Sequence, residues 1–297
     1  MRGFGHIGAS LQGTCTLAIA PGMRLQLVRT NRRDPMTDAS AIRSERPEPG
    51  VAVVTIDRPA RRNALTFAMW VALAETFEAL SDIAELRAVI LTGAGGAFSA
   101  GADIHEFSSA RAGASLGDRY AAAVARANRA ILHCPKATFA AISGPAMGGG
   151  CGLALCCDFR IGDATARLGI PAARLGLVYG VEETRALVAA VGVTRARELL
   201  YWGRPHDASA ALAAGLLSEI CPADPVAAAM ARAASLAGSA PLSIAGAKRV
   251  IRALQPQPSA EDLAEIAALS ARAIESADHA EGVAAFAARR PPVFTGR

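Results

Sequence analysis

The sequence is short of charge and of aromatic rings. Charged residues make up 19% of its 297 positions and aromatics 5%, against 52% hydrophobic, a balance that excludes a disordered chain and supplies a packed core. No apolar run reaches the about 18 residues that a bilayer span requires, so no membrane segment is expected. Six cysteines, Cys15, Cys134, Cys151, Cys156, Cys157 and Cys221, lack the paired short spacings of a zinc site. A chain of this length also needs no disulfide framework. Reduced thiols, a cytoplasmic location and no metal are therefore expected. The net charge is +5, but Arg2, Arg24, Arg29, Arg32 and Arg33 against Asp34 place +4 of it before Met36. The remaining +1 gives no basic surface for a nucleic acid.

What the sequence has instead is glycine in two telling places. The apolar strand expected at 87–91 runs into a loop of small residues carrying Gly95, Gly96, Gly101, Ala102 and Asp103. A second apolar strand, expected at 137–142, runs into Gly144, Gly148, Gly149, Gly150 and Gly152. Such loops let backbone N–H groups approach a ligand oxygen closely, and a helix starting near Gly149 adds its positive end. The pattern reads as an oxyanion hole. A dinucleotide loop beginning at Gly93 is excluded, because the third glycine of that fingerprint falls at Phe98.

Around these loops a strand is expected at 50–56 and a helix at 67–80, with a further helix at 120–132 ending before Pro135. Helices then dominate, at 183–191, 195–202, 208–214, 225–236, 241–254 and 260–277. The organisation expected is an N-terminal extension over 1–46, disordered or from an upstream start, an α/β core over 47–222 and a helical region over 223–297. The Arg-rich, acid-poor residues before Met36 also have the composition of a transit peptide.

The two glycine segments resemble the crotonase family of enoyl-CoA hydratases and isomerases. So do the stretch from Thr55 to Pro59 with Arg62, Asn63 and Leu65, the run from Cys157 to Arg160, and Glu281 to Phe286 followed by Arg289 and Arg290. The resemblance covers about Val51 to Phe294. It implies a core of stacked ββα turns, a helical C-terminal region that builds a homotrimer or hexamer, and an acyl-CoA thioester as partner. It implies no cofactor beyond the CoA of the substrate, and lyase or isomerase chemistry in fatty acid metabolism. It also implies that the N–H groups of Ala102 and Gly149 hold the thioester oxygen, that Ala102, Asp103, Ile104 and His105 line the CoA pocket, and that Arg289 meets a CoA phosphate.

One departure stands out. The hydratases of this family carry one catalytic Glu two residues after the triple glycine and a second after the proline of the next loop; here these positions are Gly152 and Ala172. Neither residue moves a proton, so ordinary hydration is disfavoured. Restoring both acids is expected to restore it, given space. The loop 170–180 then becomes the place to look for chemistry. Tyr179 bears its sole hydroxyl, and Leu175, Gly176 and Tyr179 resemble the same loop in methylmalonyl-CoA decarboxylases; core packing is the alternative for Tyr179. Glu182 and Glu183 are replacement bases or first-turn acids facing the helix dipole. Arg174 is a partner for a substrate carboxylate or a surface residue. Asp103 is a loop anchor rather than a base, and His105 a CoA contact or a solvated side chain. Cys151 is a small buried residue in preference to a nucleophile, with no matched His to activate it.

Overall fold

A computed structural model describes residues 38–103, 106 and 114–296, all within the unit Pro35–Arg297. The expectations for 1–37, and for Ile104 and His105, lie outside the described residues.

The architecture follows from unbroken apolar strands. Strands β1 (Ile42–Glu48), β2 (Val51–Ile56), β3 (Ala88–Gly93), β4 (Ala137–Ile142), β6 (Phe159–Gly162) and β9 (Glu219–Ile220) form one sheet in that order. From β2 to β9 the pairing is parallel, while β1 pairs antiparallel with β2. β4 is buried at every position, the signature of a parallel strand covered on both faces. Alternate residues divide between two cores. Val54, Leu91, Ala140 and Ile142 face one, with Trp70, Leu73 and Phe77 of α1 (Phe67–Ser81). Val53, Ile90, Phe139 and Ala141 face the other, with Ala229 and Ala233 of α6 (Pro225–Ser235).

A second, three-stranded sheet sets β5 (Pro145–Met147) parallel to β7 (Arg167–Gly169), and β7 antiparallel to β8 (His206–Asp207). Between β3 and β5 runs α2 (Ala114–His133), and α3 (Gly149–Cys156) follows β5 directly. α4 (Val181–Trp202), α5 (Ala208–Ala213), α7 (Pro241–Ala253), α8 (Ala260–Glu275) and α9 (Ala277–Ala287) complete the described elements. α9 docks on the loop after β7: His279 Nδ1 lies 2.7 Å from the Leu175 carbonyl, and a side chain at Gly282 would strike the Leu175 backbone at 2.9 Å.

Two expectations are corrected, at β1 and at the end of α8, and a third is met. β1 precedes the strand expected to be first; its polar, largely exposed residues give no apolar alternation to detect. The two helices expected at 183–191 and 195–202 are both present within α4, separated at Gly192, whose φ of 75° is non-helical. The helix expected to run through 277 ends at Glu275, because Ser276 turns extended and caps α9 by accepting from the His279 N–H.

Candidate functional site

Three buried polar side chains hold the first glycine loop. Asn63 donates to the carbonyls of Ala94 and Ala97 at 2.8 and 2.6 Å. The Ser99 hydroxyl donates to the Asn63 carbonyl and accepts from the Gly101 N–H. Asp103 is paired with Arg58 at 2.6 Å, which places it as the loop anchor expected.

Ser99 also stitches this loop to the second one. Its N–H donates to the Pro145 carbonyl and its carbonyl accepts from the Met147 N–H. The chains approach so closely that a side chain at Gly101 would stand 2.6 Å from the Met147 oxygen, and one at Gly150 would stand 2.4 Å from the Ser99 oxygen. Gly101 has a φ of 88° as well, so both sterics and backbone require glycine there.

The consequence falls on two N–H groups. Leu65 donates to the Gly101 carbonyl and accepts from the Asp103 N–H, forming a parallel bridge opposite Ala102. In such a ladder the bonds come from the residues flanking the bridge partner, so the Ala102 N–H points away from Leu65. Gly149 opens α3 after Gly148, which offers no side-chain cap, and its N–H is one of the donors that a helix start leaves unspent. Among the described residues neither N–H has a protein acceptor. They are neighbours: the position of a Cβ on Gly149 lies 3.6 Å from the Ala102 nitrogen. Trp70 forms the floor, its ring 3.2 Å from that same position, and its indole N–H donates to Tyr120, whose hydroxyl donates to the Leu65 carbonyl. Two neighbouring donors without protein acceptors, one of them at a helix start, are groups that an oxygen anion can use.

The flank of this donor pair is built from α4. Gly152 lies three residues beyond Gly149 and so on nearly the same face of α3. A Cβ there would meet the Tyr179 hydroxyl at 2.7 Å and Glu183 Cγ at 2.8 Å. Those two side chains occupy the space beside position 152, so the room on which the expected gain from Gly152→Glu depends requires Tyr179 and Glu183 to shift. The Tyr179 hydroxyl donates to the Gly148 carbonyl at 2.9 Å. Its pKa is driven well above the ordinary value by burial, then by Cys151 and Glu183, so it serves as a neutral donor.

Glu183 is buried. Burial raises its pKa, opposed by its own N–H and by the enclosed Asn128 amide, with Glu182 adding to the rise. Its carboxyl turns back over Gly180 at the start of α4. Glu182 diverges from it and pairs with Arg185 at 3.1 Å. Asn128, on α2, is fully buried; its amide lies near enough to the Glu183 carboxyl to act on it, but makes no hydrogen bond of good geometry among the described residues.

Ala172 begins a short 3-10 turn, Ala172–Leu175, and lines a cavity of about 490 Å³ with Leu177, Tyr179, Val181, Leu200 and Ile266. The chamber wall beside Tyr179 is therefore apolar. Cys151 is fully buried and its thiol is pushed up to about 12, chiefly by burial, so it is inert as a nucleophile. Arg174 is exposed, and Arg289 is exposed after α9, with left-handed backbone. Among the described residues no three His, Cys, Asp or Glu side chains converge as metal ligands, and no helix is long and apolar enough to cross a membrane.

The family resemblance names Ala102 and Gly149, with Leu65 among its motif residues; it gives Trp70, Ser99 and Asn128 no role. For Asn128 the available signal was a lone amide on the apolar face of a helix.

The molecule has known relatives. A family model described as enoyl-CoA hydratase/isomerase matches residues 46–297. A provisionally named enoyl-CoA hydratase of Thermus thermophilus is 39% identical over 247 residues, 82% of this chain and 97% of that protein. The 2,3-dehydroadipyl-CoA hydratase of Escherichia coli is 33% identical over 248 residues, 83% of this chain and 96% of that protein. Among solved structures, methylmalonyl-CoA decarboxylase in complex with 2-nitronate-propionyl-CoA matches with a TM-score of 0.75 at 26% identity, covering 86% of this chain and 99% of that one. The α/β core with its C-terminal helices is the crotonase-like fold, and the chain belongs to the enoyl-CoA hydratase/isomerase family.

Proposed function

We propose that the protein binds an acyl-CoA thioester with its carbonyl oxygen between the N–H groups of Ala102 and Gly149, and that it makes or consumes the thioester enolate there. The observation that carries this reading is the adjacency of two unspent N–H donors on rigid, glycine-enforced backbone. Charge moves onto the oxygen as the enolate forms, so fixed donors stabilise the transition state more than the ground state. Asp103, Ile104, His105 and Arg289 are assigned to the CoA moiety, and the apolar chamber beside Ala172 and Tyr179 to the acyl group. A homotrimer or hexamer in the cytoplasm completes the reading.

Proton transfer falls to Glu183. It crosses the face of Gly152, where hydratases of this family carry a Glu, and burial brings its pKa upward toward working pH, as a general acid or base requires. Rotation of its side chain carries the carboxyl from Gly180 toward the α-carbon. A single displaced carboxylate with Ala172 opposite cannot both activate water and protonate carbon in the geometry of the usual pair, so hydration is slow. Glu182, held by Arg185, is the lesser replacement.

Decarboxylation is the second reading, favoured by Tyr179 on the Gly148 carbonyl and by the decarboxylase match. Breaking the bond to a β-carboxylate leaves its electron pair as the enolate and releases CO2; a proton from water or Glu183 then reaches the α-carbon, and no base is consumed. Incubating the protein with crotonyl-CoA, a 3-enoyl-CoA and methylmalonyl-CoA, and following each by mass, separates the readings. Binding of all three without turnover would leave a non-catalytic acyl-CoA-binding subunit.

A further inference from the structure

A second cavity, of about 470 Å³, opens between α2, α4 and α7. It is lined by four arginines, Arg129, Arg185, Arg249 and Arg252, with His133 and one carboxylate, Glu182. Glu182 is already engaged with Arg185. Arg252 donates one nitrogen to the Leu132 carbonyl. Arg129 and Arg249 make no ion pair among the described residues, and the Arg185 Nε is enclosed without an acceptor. The lining thus carries three positive charges in excess of its carboxylate before His133 is counted, gathered at one concave place.

We infer that this cavity is a binding site for a multiply charged phosphate group, separate from the Ala102–Gly149 cradle. Guanidinium groups present planar forks that match phosphate oxygens two at a time, and four of them around a volume of ligand size leave little reason for their crowding other than an anion. The field within the site agrees. Burial lowers the pKa of Arg252, and Arg249 and Arg185 lower it further. His133 is likewise lowered by burial and then by Arg252, against the pull of Glu182. A dianion would reverse that repulsion and give the enclosed Arg185 Nε a partner. A dicarboxylate offers fewer oxygens per charge centre and would be the weaker ligand.

The test is calorimetric titration of the whole protein with pyrophosphate at low salt, beside adipate as the dicarboxylate. The site requires saturable binding of pyrophosphate, at least roughly tenfold tighter than adipate, and at least roughly tenfold weakened in Arg249→Gln/Arg252→Gln, the equivalent of one charged hydrogen bond. Arg129→Gln, an exposed change that leaves the α7 contacts intact, must weaken it too. Ala102→Pro must not, which keeps this result independent of the thioester reading. Repeating the titration with saturating CoA or 3′-dephospho-CoA identifies the source. Displacement by CoA alone assigns the site to its 3′-phosphate, displacement by both to its diphosphate, and by neither to a separate phosphorylated metabolite. No binding at millimolar pyrophosphate, binding unchanged in the arginine variants, or adipate binding as tightly would overturn the inference.

Discussion

The cradle and its flank are made from different materials. Around Ala102 and Gly149 the proposed active groups belong to the backbone; Gly101 and Gly150 are enforced by contacts that a Cβ would violate, and Gly148 by its positive φ of 52°. Around Gly152 the proposed active groups are the side chains of Tyr179 and Glu183, delivered from the loop before a different helix and from its first turn. A backbone device survives almost any change of side chain around it. A side-chain device can be moved: a carboxylate lost at one position is replaceable by one from a facing element, provided that the first position stays small. Gly152 and Glu183 are two halves of one such arrangement, since either a long side chain at 152 or Glu183 fits there, but not both.

The largest expected effect breaks the backbone half. Ala102→Pro deletes one N–H and puts a ring on a residue packed against the core, and turnover of any accepted thioester should fall by about 10²–10³. Circular dichroism shows whether the fold is intact, and steady-state kinetics the loss. Unchanged activity in a folded variant would remove Ala102 from the cradle.

Next comes the flank. Glu183→Gln should lower the rate of any step that moves a proton by about 10²-fold or more while leaving thioester affinity nearly constant. The same variant carries a stability signature. Because the folded-state pKa of Glu183 lies above its ordinary 4.5, its contribution is fully present below that value and is lost as pH rises toward the folded value. The melting temperature of the parent should therefore lose ground to Glu183→Gln as pH increases from about 4.5, and a parallel pair of curves would contradict the shift.

Gly152→Glu sharpens the comparison further. Alone it collides with Tyr179 and Glu183 and should cost about 1–3 kcal/mol, seen by denaturant unfolding, without gaining hydratase activity. Combined with Glu183→Gly it should recover part of that stability, and crotonyl-CoA hydration should rise above that of either single variant. At the small end, Cys151→Ala should leave turnover unchanged and cost about 1 kcal/mol in packing, since the thiol is protonated at any working pH.

How much of this was legible follows the same division. The strands β2, β3 and β4 announce themselves as apolar runs, and the glycine loops behind them are local in sequence, so the loops could be read directly, while the choice of Ala102 and Gly149 within them came from the family resemblance. β1 could not, because pairing alone holds its exposed residues. The flank was half legible. Glu183 was named, but its approach to Gly152 depends on the packing of α4 against α3, and no local pattern reports which way a first-turn side chain turns. The split between neighbours is the clearest case, with Glu182 meeting Arg185 and Glu183 buried. The arginine cavity was invisible for the same reason: its four cations come from three helices distant in sequence.

The central claim is that the cradle stabilises an enolate with Glu183 as its proton-transfer partner, and α-proton exchange reports this without any assumption about the net reaction. Butyryl-CoA, saturated and unable to be hydrated, is incubated with the protein in deuterium oxide and its α-protons are followed by NMR. The account predicts enzyme-dependent deuteration at the α-carbon that falls sharply in both Ala102→Pro and Glu183→Gln. Bound butyryl-CoA that keeps its α-protons, or exchange indifferent to both substitutions, would contradict it.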